Sequence, residues 1–502
     1  MNQLVRYEAL RGQPVISGAT IAGILTALHM GDTPCVLLSS TPHPGIGVLP
    51  LNMASLLSSD ISATTLAART IDEGAGLSRL DAVQGITSML GQALSELERR
   101  AILPALLACA SPEEMYVALI SLLVKRPNVT IIRSSVMRRL VIVEGHVRGV
   151  VVHEEGQNHI LDTNAVIATG GGATGLFDGR LVPAGAAGWD LAVAARAGAV
   201  LSELEFVAFH PFVVTASGQN SHGMAIPAGL DGDKPLVVDE QGHSLLKKDE
   251  NRDVTSAELV LWRRAGHVLF LDLRKVLSSS AVADGKEIDR FIQQCSALGY
   301  DPREEALPVE PAAAFHIGGI KVDIYGRSSV PGLWACGEAA CTGFHGGSVL
   351  EGNPLLETIV CSELVAKNVC DAINDISTLD VSTLTPMLSF AEGMADAVHS
   401  AVALSLGPVR DGKSLRQALF SLSRFAGYDD VALVAQLMCL AAYDREETRG
   451  AHCRTDFPDA RPSPRHSEWT EKEAPAAVWA IAQETHDLVV LNDGCQKFLL
   501  NS

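Results

Sequence analysis

Apolar and polar positions near the start of the chain follow the order strand, turn, helix, strand. The apolar segment PVIS is followed by the turn GATIAG, by the helical run IAGILTALHMGD and by the apolar segment PCVLLSS. Each segment has the length and apolar content of one element of a parallel unit. Residues 13–40 therefore predict a βαβ unit with a glycine-bearing turn between its first strand and its helix.

Two later segments also predict a buried strand that ends in glycines. Residues 128–172 alternate and are rich in Val and Ile, which predicts a hairpin or meander returning to a strand before Thr169-Gly170-Gly171-Gly172. Residues 330–369 predict a strand, LWACG, then a glycine-dense loop and a helix. The pattern indicates an α/β fold class.

The remaining segments have other patterns. Residues 206–311 are mixed and weakly periodic, as expected of an inserted domain, whereas residues 386–442 are helical in pattern. A polar segment at 453–475 precedes a last predicted helix at 476–490. The expected divisions are an α/β domain interrupted by an insertion and followed by a helical domain: 1–203, 204–312, 313–375 and 376–502.

Composition supports a globular protein and excludes several classes of partner. The chain has 502 residues, 47% of them hydrophobic, enough for two to four domains of ~100–200 residues. A formal net charge of −19 disfavours nucleic acid and anionic membranes as partners. No apolar run reaches the ~20 residues that span a bilayer, and the charged N-terminus resembles no secretory signal. We expect a cytoplasmic protein without a membrane or nucleic-acid partner.

Cysteine and glycine usage narrow the candidate chemistry. Ten cysteines without a C-x-x-C pair favour reduced thiols over a zinc site or a disulfide frame, so no metal is expected. The 44 glycines are in excess and concentrate at predicted strand ends.

The first glycine turn is a degenerate dinucleotide-binding motif. Gly18 to Gly23 reads G-x-G-x-x-G with Thr20 in place of the middle glycine. That glycine normally lets the backbone approach a pyrophosphate on the helix N-terminus, and Thr20 would crowd this approach. The acidic residue that normally binds the ribose falls on Ser39. From these residues alone, a structural turn and a dinucleotide site both stay open.

Several segments resemble a known family. LSELEFVAFHP, NRDVTSAEL, FHIGGIKVDIYGRSSVPGLWACGEAACTGFHGG, GNPLLETIV and REETRGAHCRTDFP are similar, in order, to motifs of the succinate dehydrogenase/fumarate reductase flavoprotein family. The likeness covers roughly residues 14–470 and is greatest to the L-aspartate oxidase branch. It implies a Rossmann-like FAD-binding domain interrupted by an α+β capping domain and followed by a C-terminal helical domain.

The resemblance also implies non-covalently bound FAD. Glu338 would contact the ribityl chain, and the helix start at Asn353–Leu355 the flavin pyrimidine edge, where the helix dipole stabilises the reduced, anionic ring. His43 lies in the loop that carries the covalent histidine of some relatives, but its spacing does not fit and we expect an ordinary loop residue. The expected cofactor residues are Gly18, Thr20, Gly23, Ser39, Thr169, Gly170, Asp190, Glu338, Asn353 and Leu355.

Four residues are implied as catalytic. Arg252 matches the family arginine that moves a proton at the substrate carbon, a role that requires a buried site; an ion pair with Asp253 or Glu250 is the alternative. His210 and His345 match histidines that line the substrate and the flavin, and core histidines are the alternative for each. His316 occupies the place of a family threonine and would partly replace a lost histidine.

Departures from the family pattern concern the substrate. The histidine and arginine that bind substrate carboxylates fall on Ala314 and Val349, and the acidic capping segment is replaced by PAGLDGD at 227–233. The loop before Ala110, which carries a further histidine and arginine pair in relatives, is deleted. Each lost charge-assisted contact is worth ~1.5–3 kcal/mol. We therefore expect no activity on fumarate, succinate or aspartate. Val349, Ala314 and Phe315 predict a more apolar pocket instead.

The segment Arg445–Pro458 matches the family's charged C-terminal signature. Its charges, of both signs, predict an ion-paired junction between the helical and flavin domains, although His452 could point toward the active site.

Two interpretations of function follow. The first is an FAD-dependent oxidoreductase acting on a less charged, aromatic or otherwise larger substrate, with O2 as oxidant. An oxidase or dehydrogenase and an oxygenase that opens an aromatic ring both fit this interpretation. The second is a flavin-free binding or scaffold protein, favoured by Thr20, Ser39 and Gly188-Trp189-Asp190, where relatives have Gly-Asp-Gly.

Overall fold

The computed structural model describes residues 5–40, 62–107, 109, 112–181, 187–214, 223–227, 230, 236–245, 252–278, 286–373 and 395–484. His43 lies outside these residues, and only part of the segment at 227–233 lies within them.

The described strands are β1 Val5–Arg6, β2 Val15–Ser17, β3 Cys35–Ser39, β4 Val129–Arg133, β5 Ser135–Val143, β6 His146–Glu154, β7 Gln157–Asp162, β8 Val166–Ala168, β9 Leu201–Ser202, β10 Val207–Val214, β11 Met224–Ala225, β12 Leu236–Val238, β13 Phe270–Asp272, β14 Leu307–His316, β15 Gly319–Lys321, β16 Leu333–Ala335, β17 Ala340–Cys341 and β18 Glu468–Trp469. The described α-helices are α1 Ile21–His29, α2 Ala63–Glu73, α3 Leu80–Arg99, α4 Leu103–Leu107, α5 Pro112–Leu123, α6 Trp189–Arg196, α7 Arg252–Arg264, α8 Arg274–Leu277, α9 Lys286–Ala297, α10 Asn353–Ala372, α11 Ala395–Ser405, α12 Gly412–Ser423, α13 Asp430–Asp444 and α14 Ala474–Glu484.

A five-stranded parallel sheet carries the predicted βαβ unit. Its order is β16-β8-β2-β3-β4. Strand β8 therefore pairs with β2 from the start of the chain on one side and with β16 from the later α/β segment on the other. Strands β2, β3, β8 and β16 are buried along their whole length, as the apolar runs predicted, whereas β4 at the edge is partly exposed. Helix α1 covers the sheet and packs against α10. The glycine turns at the ends of β2, β8 and β16 therefore lie on the same edge of one sheet.

The alternating segment before β8 forms a second sheet. Strands β5, β6 and β7 are antiparallel, which is the predicted meander, and β1 adds to β7 in parallel. The α/β fold class is confirmed by these two sheets and the helices that cover them.

The inserted segment forms an antiparallel sheet of order β11-β10-β14-β13-β12 with α7 packed on β10. It has an apolar core of its own, which includes Phe212, Leu259 and Phe291. The predicted boundary between residues 312 and 313 lies inside β14, so one continuous strand belongs to both the insertion and the returning α/β segment.

The C-terminal region is helical as predicted. Helices α11, α12 and α13 pack together, and α13 lies against α6 of the α/β domain. Within the polar segment after residue 453, β18 pairs with β9 and so joins the C-terminal region to the α/β domain by main-chain hydrogen bonds. Among the described residues, no helix is long and apolar enough to cross a membrane.

Candidate active site

Three chain segments meet at the carboxyl ends of β2 and β8. The hydroxyl of Thr169 donates to the carbonyl oxygens of Ser17 and Gly18, at 2.6 and 2.9 Å. Gly18 has φ of +99°, and a Cβ there would lie 2.5 Å from the Cα of Gly170. A Cβ on Gly23 would lie 2.0 Å from the carbonyl oxygen of Gly18. Glycine is therefore required at both positions by the packing of the chain itself.

Thr20 has a structural function in this turn. Its hydroxyl donates to the carbonyl of Thr169 at 2.7 Å and accepts from the backbone N–H of Gly23 at 3.2 Å. Thr20 is thus the N-cap of α1, a position that threonine stabilises well. The cap occupies one of the helix N–H groups that an intact motif leaves free for an anion.

Asp190 ties the two strand ends together. One carboxylate oxygen accepts from the hydroxyl of Ser17 and the other from the backbone N–H of Gly170, both at 2.7 Å. Burial raises the pKa of Asp190 to about 6. We call Gly18, Thr20, Thr169, Gly170 and Asp190 the strand-end junction.

Ser39 and Leu355 lie on elements next to this junction. Ser39 is the last residue of β3, buried, with Arg133 of β4 as its register partner. Leu355 is buried in the core that α10 shares with α1.

Glu338 and His316 are adjacent. The Glu338 carboxylate accepts from the backbone N–H of His316 at 2.8 Å and from the hydroxyl of Thr174 at 3.3 Å. Burial of the carboxylate raises the pKa of Glu338 to about 7. The His316 ring donates from Nε2 to the carbonyl of Leu204 and accepts at Nδ1 from Ala173, and burial lowers its pKa to about 4. These contacts favour a neutral, positioning histidine.

The start of α10 has a buried polar atom without a partner among the described residues. The helix follows Gly352 in a left-handed conformation and has no side-chain cap and no acidic residue in its first turn. Asn353 donates from Nδ2 to the hydroxyl of Thr70 at 2.9 Å, while its Oδ1 is buried and has no partner among the described residues. The positive end of the helix dipole is therefore available to a ligand.

His345 lies beside α10. Its Nε2 lies 2.9 Å from a carboxylate oxygen of Glu357, and its ring packs edge-on against Phe315 with centroids 5.2 Å apart. His345 Nδ1 is buried without a partner within the described part of the chain.

These observations fit FAD. Asn353 Oδ1 and His345 Nδ1 are buried without partners among the described residues. Asn353 begins α10, which has no side-chain cap, and His345 pairs with Glu357 on the same helix. This set of groups suits a ring that carries both N–H groups and electron-rich oxygens. The parallel sheet ends in the glycine turns that a dinucleotide needs. Thr20 is compatible with the fold because it caps α1.

The capping sheet and α7 carry the other two predicted catalytic residues. His210, on β10, is buried, and its Nδ1 accepts from the N–H of Phe212 at 3.2 Å. Arg252 begins α7, and its side chain lies outside the described part of the structure. The next residue, Asp253, accepts from the hydroxyl of Ser348 at 2.6 Å, so the start of α7 lies beside the loop that carries His345.

An apolar cluster lies beside this loop. The three positions at which the sequence predicted an apolar pocket, Ala314, Phe315 and Val349, belong to it. The apolar cluster is Leu77, Phe206, Ala208, Ala314, Phe315, Ile317 and Ala451, with Leu181 and Val349 packed against it.

A buried ion network joins the C-terminal segment to the connection between β9 and β10. Arg445 donates to Glu205 at 2.6 Å and to Glu447 at 2.7 Å, and it also pairs with Glu203. The ring of His452 accepts at Nδ1 from Arg410 and donates from Nε2 to the carbonyl of Arg445. The predicted ion-paired junction is confirmed, and both ring nitrogens of His452 belong to it.

Comparison with known proteins agrees with the fold. A family model described as an FAD binding domain matches residues 96–355, and one described as the fumarate reductase flavoprotein C-terminus matches residues 414–487. The L-aspartate oxidase of Mesorhizobium japonicum is 33% identical over 89% of this chain and 92% of its own. That of Caulobacter vibrioides is 30% identical over 91% and 96%. The quinol fumarate reductase chain FrdA of E. coli, in a mutant form, superposes with a TM-score of 0.76 at 19% identity over 93% and 95%.

The protein is an FAD-dependent oxidoreductase by fold and by sequence. The chain belongs to the succinate dehydrogenase/fumarate reductase flavoprotein family, in its L-aspartate oxidase-like branch. The enzyme interpretation thus replaces that of a flavin-free scaffold.

Sequence reasoning left out several residues of this site. Glu357 pairs with His345, Thr342 donates to Glu357, and Thr70 accepts from Asn353. An acidic residue in the apolar first half of α10, four positions after Asn353, was the signal that could have identified Glu357.

Proposed function

We propose that this flavoenzyme oxidises a small organic substrate that is less charged than a dicarboxylate, aromatic or otherwise apolar, and passes the electrons to O2. The observation that carries the proposal is the apolar cluster, in which Ala314, Phe315 and Val349 lie together next to the loop of His345. A carboxylate against these three side chains would lose its hydration without gaining a charged partner from them, which costs several kcal/mol.

The residues divide into two groups under this proposal. The strand-end junction and Glu338 hold the ADP and ribityl portions of FAD, and Asn353, Leu355 and the N-terminus of α10 hold its ring. When bound, FAD supplies the electron acceptor for the substrate. Arg252 accepts the substrate proton, and His210 and His345 line the space beside the ring. His316 positions the loop that contains Glu338.

L-aspartate oxidation is the second candidate, because relatives of that name are 33% and 30% identical to this chain over most of its length. Against it stand Ala314 and Val349, which supply no charge to bind the substrate carboxylates.

The test begins with protein reconstituted with FAD. We would mix it anaerobically with neutral aromatic compounds, aromatic monocarboxylates, L-aspartate, succinate and fumarate, and follow the flavin absorbance. Bleaching by an aromatic or apolar compound, with hydrogen peroxide formed on admitting O2, is the expected result. Incorporation of oxygen into the product would instead identify an oxygenase. Turnover of L-aspartate at ~1–10³ per second would overturn the substrate proposal.

The role of Arg252 has its own test. Arg252→Gln should slow flavin reduction by the substrate found above by ~10²–10⁴-fold, the range of acid–base catalysis. Arg263→Gln, on the same helix and paired at the surface with Glu310, is the matched control and should leave the rate unchanged. An unaltered rate in Arg252→Gln would refute the proton transfer.

A further inference from the structure

Glu357, which forms a buried pair with His345, has no role in the function proposed above. Both side chains are 5% exposed, and His345 Nε2 lies 2.9 Å from Glu357 Oε2. A carboxylate can only accept, so the ring nitrogen must be the donor. One imidazole proton is therefore on Nε2, so Nδ1 is an acceptor whenever the ring carries a single proton.

The other carboxylate oxygen of Glu357 also accepts a hydrogen bond. The hydroxyl of Thr342 donates to Oε1 of Glu357, and the same hydroxyl accepts from the backbone N–H of Phe344 at 3.1 Å. The chain Phe344, Thr342, Glu357, His345 thus connects a backbone amide to the imidazole ring. Phe315 and Phe344 pack edge-on against that ring, with centroids 5.2 Å away in each case, and limit its rotation.

His345 Nδ1 and Asn353 Oδ1 are both buried acceptors without partners among the described residues. They are connected through α10, because Asn353 and Glu357 are four positions apart on one face of the helix. Two such atoms, when they act as acceptors, call for a ligand with N–H groups. The isoalloxazine ring of FAD has one N–H when oxidised and more when reduced.

We propose that Glu357 is a positioning residue that fixes the tautomer and orientation of His345, so that Nδ1 accepts a hydrogen bond from the FAD ring. This inference rests on the FAD site proposed above and adds Glu357 as a residue that acts on FAD through His345. It assigns Thr342 the task of orienting Glu357.

A double-mutant cycle tests the proposal without turnover. FAD is titrated into apoprotein of the wild type, Glu357→Ala, His345→Ala and the double variant, and affinity is read from flavin fluorescence. We expect Glu357→Ala to weaken binding about tenfold, the value of a charge-assisted hydrogen bond. In the His345→Ala background the same change should alter affinity by less than about twofold, because the two residues act together.

Further variants separate positioning from loss of structure. Glu357→Gln keeps an acceptor for Nε2–H and should restore most of the affinity, and Thr342→Val should weaken binding by an intermediate factor. Glu363→Ala, on the same helix, is the matched control and should bind FAD as the wild type does. Equal weakening by Glu357→Ala in both backgrounds would refute the proposal.

A measurement on the apoprotein covers the case in which Glu357→Ala does not fold. Nitrogen-15 spectra of histidine-labelled wild type should show His345, identified by its loss in His345→Ala, protonated at Nε2. Protonation at Nδ1 would overturn the inference. Wild-type protein that binds no FAD would refute the FAD contact and the proposed FAD site together. If no compound of the substrate panel reduced the flavin, neither the FAD titration nor the nitrogen-15 spectrum would change.

Discussion

The strand-end junction and the apolar cluster are built in opposite ways. In the junction, Thr20, Thr169 and Asp190 bond to one another's backbone or to neighbouring strand ends, and Gly18 admits no side chain. In the apolar cluster, Ala314, Phe315 and Val349 meet only through apolar contact. The first region has little freedom to change without loss of the fold. The second can exchange side chains of suitable size, and so is the region where specificity can alter within one family.

The largest effect is expected in the junction. Gly18→Ala adds a Cβ 2.5 Å from the Cα of Gly170 at φ of +99°, and left-handed strain with overpacking should lower the free energy of unfolding by about 2–5 kcal/mol. FAD affinity should fall with it. Gly31→Ala, at φ of +65° with nothing within 4 Å, is the control and should cost about 1–2 kcal/mol. Chemical unfolding measures both, and equal costs would remove the contrast between the two regions.

The buried charge of Asp190 gives the junction a pH dependence. Burial raises its pKa to about 6, so the folded state binds the proton more tightly than the unfolded chain does. The stabilisation is complete below the ordinary carboxyl pKa and is lost as pH rises through about 6. We expect this contribution to fall by up to about 3 kcal/mol over that window.

Unfolding titrations of the apoprotein at several pH values measure this loss. Asp190→Asn should flatten the profile, while Asp459→Asn, at an exposed position, should reproduce the wild type. If the free energy of unfolding instead rises with pH in the wild type and in Asp459→Asn, but not in Asp190→Asn, the predicted direction is wrong.

A charge introduced into the apolar cluster should produce an anion site. Val349→Arg should bind malonate at least about tenfold more tightly than the wild type, because a charge-assisted contact contributes ~1.5–3 kcal/mol. The perturbation of the flavin spectrum by malonate measures it. Val349→Leu supplies size without charge and should behave as the parent. Strong malonate binding by the wild type would mean that another cation already serves this pocket.

The smallest effect is expected at Thr20. Thr20→Gly removes the cap of α1 at a cost of a few tenths of a kcal/mol, and it opens the backbone to the pyrophosphate. FAD affinity should rise by a fewfold factor while thermal stability changes little. Thr20→Ser keeps the hydroxyl and should resemble the parent. Weaker binding in Thr20→Gly would show that the threonine itself contacts the cofactor.

The parallel sheet was predictable because its strands are buried on both faces, so that PVIS, VIA and LWA read as apolar runs followed by glycine. The end of the insertion was harder to locate. Strand β14 contains Pro308 and Pro311. Pro311 lies where β10 and β14 pair across an irregular register after His210, whereas Pro308 pairs with Phe270 of β13. An irregular register tolerates the missing N–H of proline inside a sheet.

The residues of the site that belong to a sequence motif were predictable. Those that depend on tertiary contacts were not. Gly18, Thr169 and Gly170 stand in recognisable strand-end turns and meet in the structure. The bond of Asp190 to Ser17 and that of Glu357 to His345 join elements whose contact no local pattern encodes. The grouping of Ala314, Phe315 and Val349 followed from the resemblance, because the family pattern placed all three around one substrate.

The order β16-β8-β2-β3-β4 has a consequence for biosynthesis. Strand β8 has β2 on one side, and its other side is filled only by β16, whose residues 333–335 are made long after residues 166–168. A ribosome adding ~5–20 residues per second leaves that edge unpaired for roughly ten seconds or more. An open apolar strand edge attracts other chains. Recovery of active protein from expression should therefore depend on chaperones more than its final stability suggests.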